Sequence, residues 1–325
     1  MKAWVVKQWC EPREMSFEEW PTPEPGPNQV RVQVHAAALN FLDTLIIKGQ
    51  YQVKPPFPFT PGVEVAGVIE AVGAGSRFRP GTRVCGNLGT GGYATHAVLD
   101  DASVAPIPDN VSFAEGSAVP IVYPTAHLCL KDAGRLKPGE TVLVHAGAGG
   151  VGLAAIQLAR LWGAGKIIAT AGGAEKLAVC MAHGADFAFD YGTDAWVDQV
   201  MEATGGKGAD IIIDMVGGKI AENSMRLLNW RGRFIVVGFA GGTIPNLPAN
   251  RLLLKAAAAI GVFWGETARR EPQTAKAVFE DLFGLLAQGK IKPVVSSTYK
   301  FSDAPQAMLD LAARKTHGKV VLIPD

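Results

Sequence analysis

Seven consecutive residues, AGAGGVG at 146–152, carry the most specific chemical pattern in the chain. Gly147, Gly149 and Gly152 satisfy GxGxxG, and Gly150 and Val151 stand between the last two. The run TVLVHA (141–146) before the loop reads as a buried strand. The run VGLAAIQLARLWG (151–163) after it reads as a helix, which is the context the motif requires. Gly147 is expected to permit a tight turn, Gly149 to let a pyrophosphate approach the backbone, and Gly152 to let helix and strand pack closely. The helix start adds free N–H groups and the positive end of a dipole. The pattern points to a bound dinucleotide rather than to an empty strand–helix turn.

The second strand of this region ends in ATAGGAEK (169–176). Folds that select NAD place an acid there to hold the ribose 2′-hydroxyl. No acid stands at Ala171, Gly172 or Gly173, and Glu175 falls inside the next helix. A small neutral turn leaves room for a 2′-phosphate, and Lys176 is placed to pair with it. NADPH is therefore the expected cofactor. The plain alternative for Lys176 is a solvated helix residue.

A second candidate group lies in LNFLDTLIIKGQY (39–51). Asn40 reads as a helix N-cap with Asp43 at the third helical position. The four cysteines, Cys10, Cys85, Cys129 and Cys180, form no CxxC pair, which argues against a disulfide framework or a cysteine-rich zinc site. The six histidines have no ligand spacing, so no metal is expected.

These groups need elements to hold them. With 325 residues, 48% of them apolar and 19% charged, the chain can bury two sizeable cores. A net charge of +1 gives no electrostatic reason for a nucleic acid or an anionic membrane as partner. The N-terminus shows no signal peptide and no apolar run is long enough to span a bilayer, so a cytoplasmic location is expected. Residues 1–120 carry short β-type runs (29–36, 64–72, 93–99) between Pro- and Gly-rich segments, which suggests an irregular, mostly antiparallel domain. From Glu140 apolar strands alternate with amphipathic helices, the pattern of a parallel sheet covered on both faces. Helices are expected at 194–205, 220–229, 274–288 and 304–314. Strands are expected at 209–216, 232–238, 256–265, 291–299 and 319–324. The last strands are expected to rejoin the β-rich domain.

Over essentially its full length the chain resembles the medium-chain dehydrogenase/reductases. The order of β domain, PGVEVAG (61–67), glycine loop and C-terminal return matches, and VLVHAGAGGVGLAAIQLAR (142–160) is similar to the quinone oxidoreductase branch. The resemblance implies an α/β fold with a GroES-like β-rich catalytic domain at 1–122 and 266–325. A Rossmann doubly wound parallel-sheet domain would occupy 123–265. Zinc-dependent members carry Gly-His-Glu and an upstream Cys as ligands. Here the motif is Gly62-Val63-Glu64, and Asn40 stands at the Cys position. Glu64 then reads as structural.

The resemblance also places Asn40 and Thr125 beside the nicotinamide, Tyr51 in the substrate groove and Tyr191 near the adenosine phosphate. Thr125 read from its own neighbours is a helix cap after Pro124. Gly238 and Phe239 should lie at the carboxyl edge of the sheet. Leu45 departs from a tyrosine that many members carry, which makes the pocket more apolar. A homodimer is implied, and the 256–264 run reads as an edge strand that needs cover.

Without a zinc Lewis acid the hydride acceptor should already be electrophilic. The expectation is NADPH-dependent reduction of a quinone, with Asn40 and Tyr51 at the reacting end. One alternative is reduction of an enone, 2-alkenal or enoyl double bond. The other is a non-catalytic nucleotide-binding protein, since some similar proteins serve as lens crystallins or bind RNA. The near-neutral charge lends that last class little support.

Overall fold

The computed structural model describes all residues from Met1 to Asp325. The chain forms two compact units, residues 1–121 with 279–325, and residues 122–278. The second division falls inside a helix rather than at the expected 265/266 boundary.

In the first unit, a two-stranded ribbon pairs β1 (Lys2–Val5) with β2 (Ser16–Glu19). The long strand β3 (Gln29–Ala38) buries Val30, Val32 and Val34 on one face and turns Arg31 and Gln33 outward, the period of two that a half-buried strand needs. Helix α1 (Phe41–Ile46) follows directly. Then come β4 (Glu64–Val72), β5 (Arg83–Asn87), β6 (His96–Asp100), β7 (Val104–Pro106) and the short helix α2 (Phe113–Ser117).

The second unit opens with α3 (Val122–His127). Its strands are β8 (Thr141–Val144), β9 (Lys166–Ala171), β10 (Phe187–Asp190), β11 (Ala209–Asp214), β12 (Leu228–Val236) and β13 (Ala258–Gly261). Between them lie α4 (Gly150–Leu161), α5 (Ala174–Ala182), α6 (Trp196–Ala203), α7 (Gly218–Ser224) and α8 (Ala249–Lys255). After β13 come α9 (Trp264–Arg270) and α10 (Pro272–Ala287), the helix that contains the unit boundary.

The six strands are all parallel in the order β10-β9-β8-β11-β12-β13. β8, β9 and β11 are almost wholly buried, which explains why their sequences are continuous apolar runs rather than alternating ones. The helix expected at 220–229 is shorter. The chain leaves α7 after Ser224, and Leu228 already pairs with Ala209 beside a register shift in β11.

The chain then returns to the first unit through β14 (Val295–Lys300), α11 (Ala304–Ala312) and β15 (Lys319–Ile323). The sheet order there is β14-β15-β3-β4-β5-β7, with β6 also on β3. β15 runs antiparallel to β3. Its Val320 and Leu322 join Val30, Val32, Ile69 and Phe301 in one core. The expected return of the C-terminal strands to the β-rich domain is therefore observed. No helix is long and apolar enough to cross a membrane.

Candidate active site

The glycine loop leaves the carboxyl end of β8. β9 and β10 lie to one side of β8, and β11, β12 and β13 to the other. The strand order therefore reverses at β8, and the loop stands at the switch point where open α/β sheets bind ligands. Gly149 is the N-cap of α4, with Gly150, Val151 and Gly152 in its first turn. The N–H groups of a first turn have no intrahelical acceptor, so three donors face the loop.

Two glycines are required for reasons that differ from the sequence expectation. The left-handed residue of the turn is Ala146 (φ 47°), not Gly147. Gly147 is needed because a Cβ there would lie 2.8 Å from Ala169 Cβ and 3.0 Å from Cys180 Sγ. Gly152 presses on the loop itself, where a Cβ would meet the Ala146 and Gly147 carbonyl oxygens at 2.4 and 2.6 Å. At Gly149 the nearest contact is the Ala146 oxygen at 3.2 Å, so its other side is open to a ligand.

His145, just before the loop, is fully buried. Its two ring nitrogens lie 2.7 Å from Thr170 Oγ1 and Ser224 Oγ. Ser224 gives its own proton to the Ile220 carbonyl, so Nε2–H donates to Ser224 and Nδ1 accepts from Thr170. Burial pushes the ring pKa down to about 3 and keeps it neutral.

The remaining nucleotide-side candidates of this unit gather at the ends of neighbouring strands. Gly172 follows β9 and Tyr191 follows β10, and a Cβ on Gly172 would lie 3.8 Å from the Tyr191 ring. Lys176 lies in the first turn of α5 and is half-buried. An acid does reach this turn, from the next strand: Asp190 accepts from Gly173 N–H at 3.0 Å and from Gly192 N–H at 2.7 Å. Gly238 and the half-buried Phe239 follow β12, and the Phe239 ring covers Gly217 after β11. Thr125 lies inside α3 and is buried. It is not the helix cap that its position after Pro124 suggested.

The first unit holds a different kind of site. Asn40 stands at the N-cap of α1 as expected, but its side chain makes no cap hydrogen bond; instead Asp43 Oδ2 accepts the Asn40 N–H at 2.8 Å. Tyr93 also donates its hydroxyl to Asp43 Oδ2, at 2.9 Å. Asp43 Oδ1 has no partner, and the carboxyl is completely buried. That loss of hydration pushes its pKa up to about 7, against the opposing pull of the Asn40 N–H and the Tyr93 hydroxyl.

The Asn40 side chain is engaged elsewhere. Its Nδ2 donates to Glu64 Oε1 at 2.8 Å, and its Oδ1 accepts from Lys319 Nζ at 2.8 Å. Glu64 also binds Lys319 directly and accepts the Ile121 N–H through Oε2 at 3.1 Å. Burial raises the Glu64 pKa, and the Lys319 ammonium opposes that rise.

Strand register explains the meeting. Val321 pairs with Ala38, so the antiparallel ladder runs on to set Lys319 opposite Asn40. On the other side of β3, Val65 pairs with Ala37, which brings Glu64 to the same end. Lys319 is the participant that sequence reasoning missed. The only available signal was a lysine at the head of an apolar strand, and its partners are 255 and 279 residues away.

Tyr51, shortly after α1, is half-buried against the core of this unit. Its hydroxyl makes no hydrogen bond within the protein. Burial, with the nearby Asp43 charge, raises its pKa and keeps the phenol protonated at neutral pH. No three His, Cys, Asp or Glu side chains in the chain are grouped to hold a metal ion.

A parallel sheet with a glycine loop at its switch point, in a chain whose C-terminus rejoins a separate β-rich unit, defines a class of nucleotide-dependent oxidoreductases. Comparison with known proteins agrees. Residues 26–109 match the alcohol dehydrogenase GroES-like domain, and residues 150–281 match the zinc-binding dehydrogenase domain. The chain is 40% identical to rat quinone oxidoreductase-like protein 2 over 298 residues, covering 91% of this chain and 85% of the rat protein. It superposes on Escherichia coli quinone oxidoreductase, solved with NADPH, with a TM-score of 0.92 and 29% identity over all of both chains. A CurK enoyl reductase gives a TM-score of 0.90 at 26% identity, over 100% of this chain and 99% of that one. The chain belongs to the medium-chain dehydrogenase/reductase family.

Proposed function

We propose that the protein catalyses NADPH-dependent two-electron reduction of a quinone, without zinc. The observation that carries this is the contrast at the Asn40 position. Where zinc members of the family place a metal ligand, an amide is bonded to a buried ammonium and a buried carboxylate. Asn40 and the apolar Val63 are poor zinc donors beside a fixed Lys319 cation, so the residues present do not fit that metal.

They do fit a dinucleotide. The first-turn N–H groups of α4 and the open side of Gly149 suit a pyrophosphate. The neutral Gly172–Gly173 turn with Lys176 suits a 2′-phosphate, and the NADPH complex of the Escherichia coli enzyme supports the phosphorylated cofactor. Asp190 accepts the Gly173 N–H through one carboxylate oxygen and the Gly192 N–H, after β10, through the other, so it ties this turn to the end of β10.

The cofactor supplies a hydride to the acceptor. Asn40, which the family resemblance places beside the nicotinamide, has one Nδ2 hydrogen left for the reacting end. Tyr51, with an unused hydroxyl, donates a hydrogen bond to the oxygen that gains charge. Tyr51 packs against the core of the first unit, which holds its ring in place. Reduction of an activated alkene is the second reading, supported by the likeness to an enoyl reductase and by the apolar Leu45.

A homodimer belongs to the same proposal. β13 is an edge strand with Ala258, Ala259 and Gly261 exposed, and Leu253 and Leu254 of the adjoining helix are 80% and 68% exposed. A second copy would cover this edge. A monomer mass in solution scattering would overturn that part.

The deciding experiment follows NADPH oxidation, with NADH in parallel, against 1,4-benzoquinone, 9,10-phenanthrenequinone, a 2-alkenal and crotonyl-CoA. NADPH-dependent turnover on a quinone is expected. Turnover on the alkenes alone moves the assignment to a double-bond reductase, and turnover only on a simple alcohol with added zinc sinks the proposal.

A further inference from the structure

The Asn40 amide is gripped from two sides by groups of opposite hydrogen-bonding character. Lys319 Nζ donates to its oxygen at 2.8 Å, and its nitrogen donates to Glu64 Oε1 at 2.8 Å. An ammonium has only donors and a carboxylate only acceptors. The amide therefore fits one way round. A flip would set NH₂ against NH₃⁺ and oxygen against oxygen. Glu64 cannot swing away to relieve such a clash, because its second oxygen holds the Ile121 N–H.

Packing does not require this cluster to be charged. The rest of β15 sends valines and a leucine into the core. Lys319 is 4% exposed and Glu64 is fully buried. Lysine and glutamate are rarely buried so deeply unless paired. Well-packed apolar residues often replace a buried ion pair with no loss of stability. What an apolar pair could not supply is an acceptor for one end of the Asn40 amide and a donor for the other. Once those two bonds are made, one Nδ2 hydrogen and one Oδ1 lone pair of Asn40 remain.

We propose that Lys319 is a positioning residue: together with Glu64 it locks the Asn40 amide, so that the same N–H always faces the reacting end of the site. This rests on the proposed function, in which Asn40 lies beside the nicotinamide. Lys319 is buried and bonded to Asn40 and Glu64, so its proposed role is exerted through Asn40.

The test uses the full-length protein with Lys319→Met, Lys319→Arg and Asn40→Ala. If Lys319→Met alone does not fold, the double variant Glu64→Gln with Lys319→Met takes its place. A glutamine carries both a donor and an acceptor, so it pairs with either orientation of Asn40 and the lock is still lost. The first readout is the ¹⁵N side-chain amide signal of Asn40, identified by its disappearance in Asn40→Ala. In the unsubstituted protein one of its two protons should exchange slowly, and that protection should vanish in Lys319→Met, because buried Glu64 without its ammonium takes up a proton and then pairs with either orientation of the amide.

The second readout is kinetic. In Lys319→Met, kcat should fall about tenfold or more, as expected when a reacting group is misplaced. NADPH affinity, read by cofactor fluorescence, should stay within about threefold, because uniform binding is untouched. Lys319→Arg should restore at least half of the lost rate.

A folded Lys319→Met protein that keeps both the protected amide proton and its kcat overturns the proposal. So does one that loses only melting temperature or cofactor affinity. If the unsubstituted protein reduces neither quinone nor alkene, the functional reading fails, and the amide signal still decides whether the lock exists.

Discussion

The loop at 146–152 and the cluster at Asn40 do comparable work with opposite materials. The loop offers backbone N–H groups from consecutive residues, and the sheet order places it. The cluster offers side chains from positions 40, 64 and 319, two of them charged and all buried. Backbone donors cost little to keep in place once the helix forms, and Gly147 and Gly152 there serve close approach within the protein. The side-chain cluster must offset the desolvation of an ammonium and a carboxylate, so it persists only while every partner is present. The first site should tolerate changes of charge and fail on changes of shape. The second should do the reverse.

The largest effect is expected where shape matters most. Gly152→Ala drives a Cβ into two loop carbonyls, at 2.4 and 2.6 Å. Neither backbone oxygen can yield without moving the turn. NADPH affinity should fall by at least about 100-fold, the equivalent of ~3 kcal/mol, in a fluorescence titration. An unchanged affinity would mean that the loop is not the phosphate site.

Next comes the buried acid beside the cluster. The Asp43 carboxyl holds its proton more tightly in the folded chain, to about pH 7, than in the unfolded chain. Its stabilising contribution is therefore complete at acid pH, below its unfolded value, and is lost as the pH rises through 7. Asp43→Asn keeps the shape and removes the titration. The stability gap between variant and parent, from urea melts, should move in favour of the variant by about 2–3 kcal/mol between pH 5 and pH 8. Parallel pH profiles would show that Asp43 stays ionised in its burial site.

A smaller effect is expected at Lys176. Lys176→Glu should raise the KM for NADPH about tenfold, ~1.4 kcal/mol, and leave that for NADH nearly unchanged. Equal changes for both cofactors would remove the 2′-phosphate contact from the proposal.

Gly149→Ala sets the lower end of the scale. Its Cβ would meet one oxygen at 3.2 Å and otherwise point into open space. Folding stability should fall by less than about 1 kcal/mol, while nucleotide affinity drops measurably. A loss of stability without loss of affinity would reverse the role given to this glycine.

How much of this was legible beforehand varied with distance along the chain. The glycine loop with its flanking strand and helix, and the cap that joins Asn40 to Asp43, each lie within a few residues and could be read directly. The left-handed Ala146 could not, because a non-glycine residue in that conformation is held by its surroundings rather than by its own preference. The helix expected at 220–229 ends at Ser224, since strand pairing at Leu228 outweighs the local helical pattern.

By itself the sequence determined the alternation of strand and helix, the parallel sheet, the glycine loop between strand and helix and the change of residue at the family's zinc position. These follow from local periodicity, turn chemistry and side-chain size. Only the tertiary structure decided that Lys319 meets Asn40 and Glu64, that Asp190 braces the Gly172–Gly173 turn, and that Asp43 titrates near neutrality. The physical reason is common to all three. Each depends on which groups the strand register and packing bring together, and neighbours along the chain do not settle that.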